Sequence, residues 1–383
     1  MSDKARGSRF SPTICVTHKC NLNCVYCYQT HDNESRMSLS TAKECIDWIF
    51  NNIPQDMTQV EIGFIGGEPL LEFELITQIY DYTFSKYSDV DYIFYATTNG
   101  TILTDDMKLW LSEHKERFVL GLSLDGTPQT HNYNRSNSFN KIDIEFFRRL
   151  WPWQGVKMTL SEYSLHSLAD NIKYLHSLGF KRISGVNLFE GDFDWNRDEY
   201  LKVLIPQLQE LVDFYVENDH LPLDQMMNRK IGICERGNHT PKKWCGIGTG
   251  TIFFDIDGTK RPCNFCTPMT FSEEQLHAIS SYDFTDYQNF TDDICLECYI
   301  YDICPHCAGA DYLTQNTFKI RDKSKCRIQK LIVLFIADLQ AKRIVKNPKR
   351  YSDDERYYTI NAIKNIRKLY LPVFRELLDE CLN

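Results

Sequence analysis

Up to about residue 190, six short apolar runs alternate with helical patterns, and this alternation constrains the architecture more tightly than any other feature of the chain. The runs are Thr13–Thr17, Val60–Ile65, Tyr92–Thr97, Phe118–Leu124, Val156–Leu160 and Arg182–Leu188. They are rich in Val, Ile, Phe and Tyr and mostly lack the polar alternation of a half-exposed sheet, as buried parallel strands should. Periodicity predicts intervening helices near residues 40–53, 72–88, 104–115, 140–151 and 165–178. Ser40 is expected to cap the first, and Gly179 to end the last in the left-handed position that glycine favours. Strands separated by helices imply a parallel α/β sheet, either open and doubly wound or closed into a barrel, and periodicity does not choose between them. A sixth helix is expected over 196–218. The texture then changes: residues 226–326 are loop-rich, with one obvious hairpin, Thr251–Asp255 turning at Asp257-Gly258. Helices over 327–345 and 353–380 complete the pattern, the second expected to kink or break near Pro372. The expected domains are 1–225, 226–326 and 327–383.

With 43 Lys plus Arg against 52 Asp plus Glu, the chain carries a net charge of −9. That is the wrong sign for nonspecific nucleic-acid binding, so no nucleic-acid partner is expected. The longest apolar run, Leu331 to Ala337, is far shorter than the roughly 20 residues that cross a bilayer, so no membrane partner is expected either. The start of the chain shows no secretory signal, which gives an expectation of a cytoplasmic protein. In that reducing compartment 15 cysteines, nine of them within 226–326, point to metal rather than disulfides. Cys15, Cys45 and Cys381 fall outside the close groups and read as ordinary thiols.

Cys20, Cys24 and Cys27 lie in CNLNCVYCY just after the first strand, at the sheet end where α/β enzymes place their sites. Three thiolates this close can grip one face of an iron–sulfur cluster and leave one iron open to a small molecule. Zinc with a further ligand such as His18 is the plainer reading of the spacing. The CxxxCxxC pattern with Tyr26 before its last cysteine resembles the signature of radical S-adenosylmethionine (radical SAM) enzymes. The resemblance continues in order: Gly66-Gly67-Glu68-Pro69 resembles the family's GGEP, and Thr98-Asn99-Gly100 its TNG. Ser123 and Asp125 in GLSLDG, and Arg135 in HNYNR, match positions that hold the ribose and the methionine carboxylate in related enzymes. An arginine suits that carboxylate because its planar fork donates two parallel hydrogen bonds. The resemblance implies a partial (β/α)6 TIM-type barrel and S-adenosylmethionine as cofactor. One thing it leaves open is the general base, for which no residue is assigned.

Cys245, Cys263, Cys295, Cys298, Cys304, Cys307 and Cys326 resemble the seven-cysteine SPASM domain of radical SAM enzymes that modify peptides and proteins. Carried over, Cys295, Cys298, Cys304 and Cys326 would hold an outer auxiliary cluster, and Cys245, Cys263 and Cys307 an inner one. With the first triad this implies about three 4Fe-4S clusters per chain. Two departures stand out. Only Pro305-His306 separates Cys304 from Cys307, where the family places three residues. No cysteine shortly follows Cys245, so the fourth inner ligand is Cys266 or Cys234, or the position is open to substrate. His306 itself reads as a loop residue rather than a proton carrier. Two zinc ribbons are the plainer reading of the CxxC pairs.

The resemblance implies an oxidoreductase that abstracts hydrogen through a 5′-deoxyadenosyl radical. The expected activity is peptide maturation, installing a thioether or carbon–carbon crosslink in a ribosomally made precursor. The alternative is anaerobic sulfatase maturation, converting Cys or Ser to formylglycine. That family keeps an acidic proton acceptor after the inner-cluster cysteine, where this chain has Asn264, and Gln before GGEP, where this chain has Ile65. An amide cannot act as the base. A second alternative is a zinc-stabilised, non-catalytic binding module. Expected partners are the precursor peptide, a reducing protein such as flavodoxin or ferredoxin, and a separate leader-binding protein, since few residues precede the first strand. The terminal helix carries Ile360, Ile363, Ile366 and Leu369 at every third position, a stripe that reads as packing against the barrel.

Overall fold

The strand over Thr13–Thr17 runs from a half-buried Thr13 into Ile14, Cys15 and Val16, all fully buried, which is what a strand covered on both faces requires. The computed structural model describes residues 9–382 apart from Asn33, Asp56, Thr58, 189–193 and Asn238. Most of the start read for a targeting signal, residues 1–8, lies outside the described residues. Two units are distinguished, one of Met1–Leu124, Arg135–Gln154 and Cys245–Asp286, the other of Asp125–Asn134, Gly155–Trp244 and Tyr287–Asn383.

In the first unit, β1 (Arg9–Phe10), β2 (Thr13–Thr17), β3 (Gln59–Gly66), β4 (Tyr92–Thr98) and β5 (Phe118–Ser123) are joined by parallel pairings, in the order β5-β4-β3-β2, with β1 also on β3. Helices α1 (Leu39–Asn51), α2 (Phe73–Lys86) and α3 (Asp105–Glu113) supply the crossovers. These expected strands and helices are present with ends shifted by at most two residues, and the helix expected near 140–151 starts four residues later, at Ile144–Leu150. The cap of α1 differs: Ser38, not Ser40, accepts the Thr41 backbone N–H at 3.1 Å. Ser40 already lies inside the helix and contacts the cap hydroxyl at 2.8 Å. Beyond expectation, β8 (Phe253–Phe254) extends the sheet parallel to β2, and antiparallel β9 (Lys260–Arg261) follows it. The turn between them uses Gly258 at φ +83°, a conformation L side chains avoid.

In the second unit, β6 (Val156–Leu160) and β7 (Ile183–Leu188) pair in parallel. Gly179 has φ +87°, the left-handed end expected of the preceding helix, Leu168–Ser177. Helix Asp198–Glu217 carries Pro206 in its interior. Helices Cys326–Lys346 and Asp353–Leu382 close the unit, and the second runs through Pro372 without interruption. Its inward face is Thr359, Ala362, Ile363, Ile366, Tyr370 and Phe374, whereas Ile360 and Leu369 are exposed. A strict three-residue spacing drifts around a helix of 3.6 residues per turn, so only the middle of the expected stripe faces inward. Among the described residues no helix is long and apolar enough to cross a membrane.

Candidate cluster and cofactor sites

In the first unit, β2 delivers the chain to the Cys20–Cys27 loop. At its start the His18 ring is fixed by Asp255 at 2.8 Å, with Asp32 at 3.6 Å on the other nitrogen. Gly66 and Gly67 at the end of β3 admit this loop. A Cβ on Gly66 would lie 2.2 Å from the Thr17 carbonyl oxygen, and one on Gly67 2.3 Å from that of Lys19 and 2.7 Å from Cys20 Cβ. The pair therefore accommodates the chain's own backbone. The Glu68 and Gly67 N–H groups donate to Lys19 and Thr17 at 2.8 and 3.3 Å, and Cys27 N–H to Cys24 at 3.0 Å.

Burial pushes the Cys20 thiol up to about 11, with the charges of Glu68, Cys24 and Cys27 adding to it. The three sulfurs thus sit within one another's electrostatic reach. Burial also raises Cys27, against the charge of Arg135. Their fit to a metal cluster rests on this donor set of three neighbouring cysteines outside any disulfide. The histidine beside them is His31, its Nε2 3.3 Å from the Cys27 sulfur, and not His18, whose ring is already engaged. Sequence spacing alone could have flagged His31, four residues after Cys27.

The remaining motif residues of this unit form a connected floor. Glu68 is buried and accepts from the Asn99 backbone at 2.7 Å, the Thr98 hydroxyl at 2.8 Å and Leu70 N–H at 3.2 Å. Burial pushes its carboxyl up to about 7 despite those donors and Arg135. The Asn99 side chain reaches Asn21 in the cysteine loop at 2.8 Å. The Arg135 guanidinium lies over the Tyr26 ring at 5.3 Å, and Ser123 is buried at the end of β5. In the second unit, Asp125 is fully buried and accepts from Thr159 N–H at 3.1 Å and from Asn134 at 3.3 Å.

A second pair of thiols lies in the first unit: the Cys263 and Cys266 sulfurs are 3.6 Å apart. Cys245 is exposed in the same unit. The 263–269 loop packs on the first cysteine loop. Phe265 stacks on Tyr28 at 4.2 Å, the Asn264 amide donates to the Tyr28 hydroxyl at 3.3 Å, and Thr30 N–H donates to Met269 at 2.8 Å.

In the second unit, Cys295, Cys298, Cys304, Cys307 and Cys326 line one cavity of about 410 Å³. Cys326 feels the charges of Cys295 and Cys298, and Cys304 those of Cys298 and Cys326. The structure therefore brings together the four cysteines expected to form the outer set. Cys234 lies within electrostatic reach of Cys298, in this unit and not with Cys263. Besides the Tyr301 hydroxyl, two side chains line the cavity with buried polar atoms that have no partner among the described residues: His306 Nε2, and Arg321 Nε and Nη2. The other His306 nitrogen, Nδ1, is 2.6 Å from buried Asp311. Unpaired buried donors beside converging thiols fit an anionic group with sulfur acceptors, as an iron–sulfur cluster is. No sequence period marks these two residues.

Residues 14–204 match the family model of the Radical SAM superfamily. The chain is 26% identical over 269 residues to the cysteine-type anaerobic sulfatase-maturating enzyme of Clostridium perfringens, covering 64% of this chain and 71% of that one. It is 25% identical over 266 residues to the antilisterial bacteriocin subtilosin biosynthesis protein AlbA of Bacillus subtilis, covering 66% of this chain and 54% of AlbA. Among solved structures, anSMEcpe with bound AdoMet shares the fold at a TM-score of 0.65 and 17% identity, covering 91% of this chain and 98% of that one.

Proposed function

The chain belongs to the radical SAM superfamily, and from that premise we propose that it is a peptide maturase installing a thioether or carbon–carbon crosslink in a ribosomally made precursor. In this reading Cys20, Cys24 and Cys27 hold the cluster that binds S-adenosylmethionine. Cys295, Cys298, Cys304 and Cys326 hold one auxiliary cluster, and Cys263, Cys266 and Cys245 belong to the other. When bound, these groups supply one-electron cleavage of the cofactor and hydrogen abstraction by a 5′-deoxyadenosyl radical. The protein's part is to orient and exclude water: Glu68 and Asn99 brace the first loop, and Arg135 offers a planar fork to a carboxylate. A flavodoxin or ferredoxin supplies electrons in the cytoplasm, and a separate protein presents the leader.

The observation that carries the choice of substrate is Asn264. Its amide follows Cys263 and rests on the Tyr28 hydroxyl, where sulfatase maturation needs a proton acceptor. Sulfatase maturation remains the second reading, favoured by the identity to the Clostridium perfringens enzyme and shared by the fold. The test is anaerobic incubation of the reconstituted protein with S-adenosylmethionine, reductant and either of two peptides. One is a short Cys-containing precursor encoded beside the gene; the other is a sulfatase-derived Cys peptide. Loss of two hydrogens from the first is expected, and formylglycine in the second would overturn the reading of Asn264. Cys24→Ala should abolish 5′-deoxyadenosine release, whereas Cys298→Ala should keep some release and lose product. Zinc in place of iron would favour a binding module, the outcome His31 beside Cys27 would serve.

A further inference from the structure

Arg321 is placed as a residue with a task. Its side chain lines the four-thiol cavity of the second unit, and the residue is only 5% exposed. The guanidinium lies over the Tyr301 ring at 4.8 Å, and its backbone N–H is held by Asp292 at 3.2 Å. The plane of the fork is thus set from below and its root from behind. Even so, Nε and Nη2 are buried with no partner among the described residues. A buried unpaired donor costs about 1–3 kcal/mol, so a persistent pair of them implies an acceptor that protein atoms do not supply. Neighbouring Lys323 differs: its ammonium is shared between the Asp292 carboxylate and the Cys295 sulfur. The charge of Arg321 acts on Cys295 and on Cys304, at two corners of the thiol set.

We propose that Arg321 donates hydrogen bonds to the sulfur atoms of the iron–sulfur cluster held by Cys295, Cys298, Cys304 and Cys326, and thereby sets its reduction potential. The inference rests on the iron–sulfur reading of that cavity. Adding one electron makes a thiolate-ligated cluster more negative, and a fixed cation with aimed N–H groups stabilises that state over the oxidised one. Arg321 is therefore a positioning and tuning residue that makes this cluster easier to reduce.

The test is a reductive titration of the anaerobically reconstituted full chain, wild type against Arg321→Gln and Arg321→Lys, followed by electron paramagnetic resonance. Added S-adenosylmethionine identifies the signal of the first triad, leaving the others to be followed. Iron content should match wild type in both variants. One midpoint should move to more negative potential in Arg321→Gln, with the reduced-to-oxidised ratio at a fixed potential falling about tenfold, or 59 mV for one electron. Arg321→Lys, which keeps the charge and loses the fork, should fall between. Full iron content with every midpoint unmoved would overturn this inference and leave the iron–sulfur reading intact. Loss of the same cluster from both variants would assign Arg321 to assembly and would overturn it too. A wild-type protein that takes up no iron would overturn the reading beneath it.

Discussion

Glu68 accepts the backbone N–H of Asn99 at 2.7 Å, and Asn99 in turn holds Asn21 of the first cysteine loop at 2.8 Å. A carboxylate 31 residues before Asn99 thus braces the turn that holds the first cysteine loop. In Glu68→Gln one carboxylate oxygen becomes an amide NH2, and its N–H groups must face either Asn99 N–H or the Thr98 hydroxyl and Leu70 N–H. Leaving one such donor unpaired should cost about 1–3 kcal/mol. The urea midpoint should fall, and 5′-deoxyadenosine release with it; an unchanged midpoint would remove Glu68 from this role.

Gly67→Ala should strip iron from the first triad. The new methyl group would meet the Lys19 carbonyl at 2.3 Å and Cys20 Cβ at 2.7 Å, and backbone has no free rotor with which to yield. Gly121→Ala is the matched control, since its nearest neighbour is the Gln154 side-chain amide at 3.3 Å. Iron per chain should fall by about one cluster in the first variant and hold in the second. Equal iron in both would show that the loop tolerates displacement.

The local features were readable from sequence because their causes are local. Buried parallel strands announce themselves as runs such as Phe118–Ser123, and the Cys20–Cys27 spacing fixes three sulfurs in one turn. Elements whose causes are distant were not readable. The Asp257-Gly258 turn signalled the hairpin that holds Phe253–Phe254, but not that this strand would join the sheet beside β2. The choice of Ser38 over Ser40 depends on where Thr41 N–H points, which composition does not show. Arg321 and the His306–Asp311 pair acquire meaning only from a cavity assembled by residues from Ile294 to Tyr370. The Cys263–Cys266 contact lay between: the CxxC spacing permitted it, and the fold of the 263–269 loop makes it.

Asp224, remote in sequence from every cysteine expected to bind metal except Cys234, should make stability pH-dependent. It is fully buried, accepts Met226 and Met227 N–H at 2.9 and 3.2 Å through one oxygen, and its other oxygen has no partner among the described residues. Burial raises its carboxyl from 3.8 to about 6. Between those values the folded chain keeps a proton that the unfolded chain has released. The associated stability is therefore full below 3.8 and lost as pH rises through 6. Asp224→Asn keeps the acceptor with no charge to bury, so it should gain on wild type as pH rises, by at most about 3 kcal/mol. Urea midpoints of both proteins from pH 5 to about 8 should diverge towards neutrality; parallel curves would refute it.

Cys266→Ala and Cys234→Ala should separate the two candidates for the fourth inner ligand. The Cys266 sulfur is 3.6 Å from that of Cys263, and a hydrogen bond between them holds Cys263 below the usual thiol range. Cys234 lies in a short helix over Ile231–Glu235, where burial keeps its thiol protonated. A ligand must give up its proton to the metal, and a thiol already paired with a second sulfur is the better placed. Iron per chain should therefore fall by up to about one cluster in Cys266→Ala, with loss of its absorbance, and stay at the wild-type value in Cys234→Ala. The reverse pattern would move the fourth ligand to Cys234. Full iron in both variants would leave the inner cluster with three protein thiolates and a corner free for a substrate sulfur.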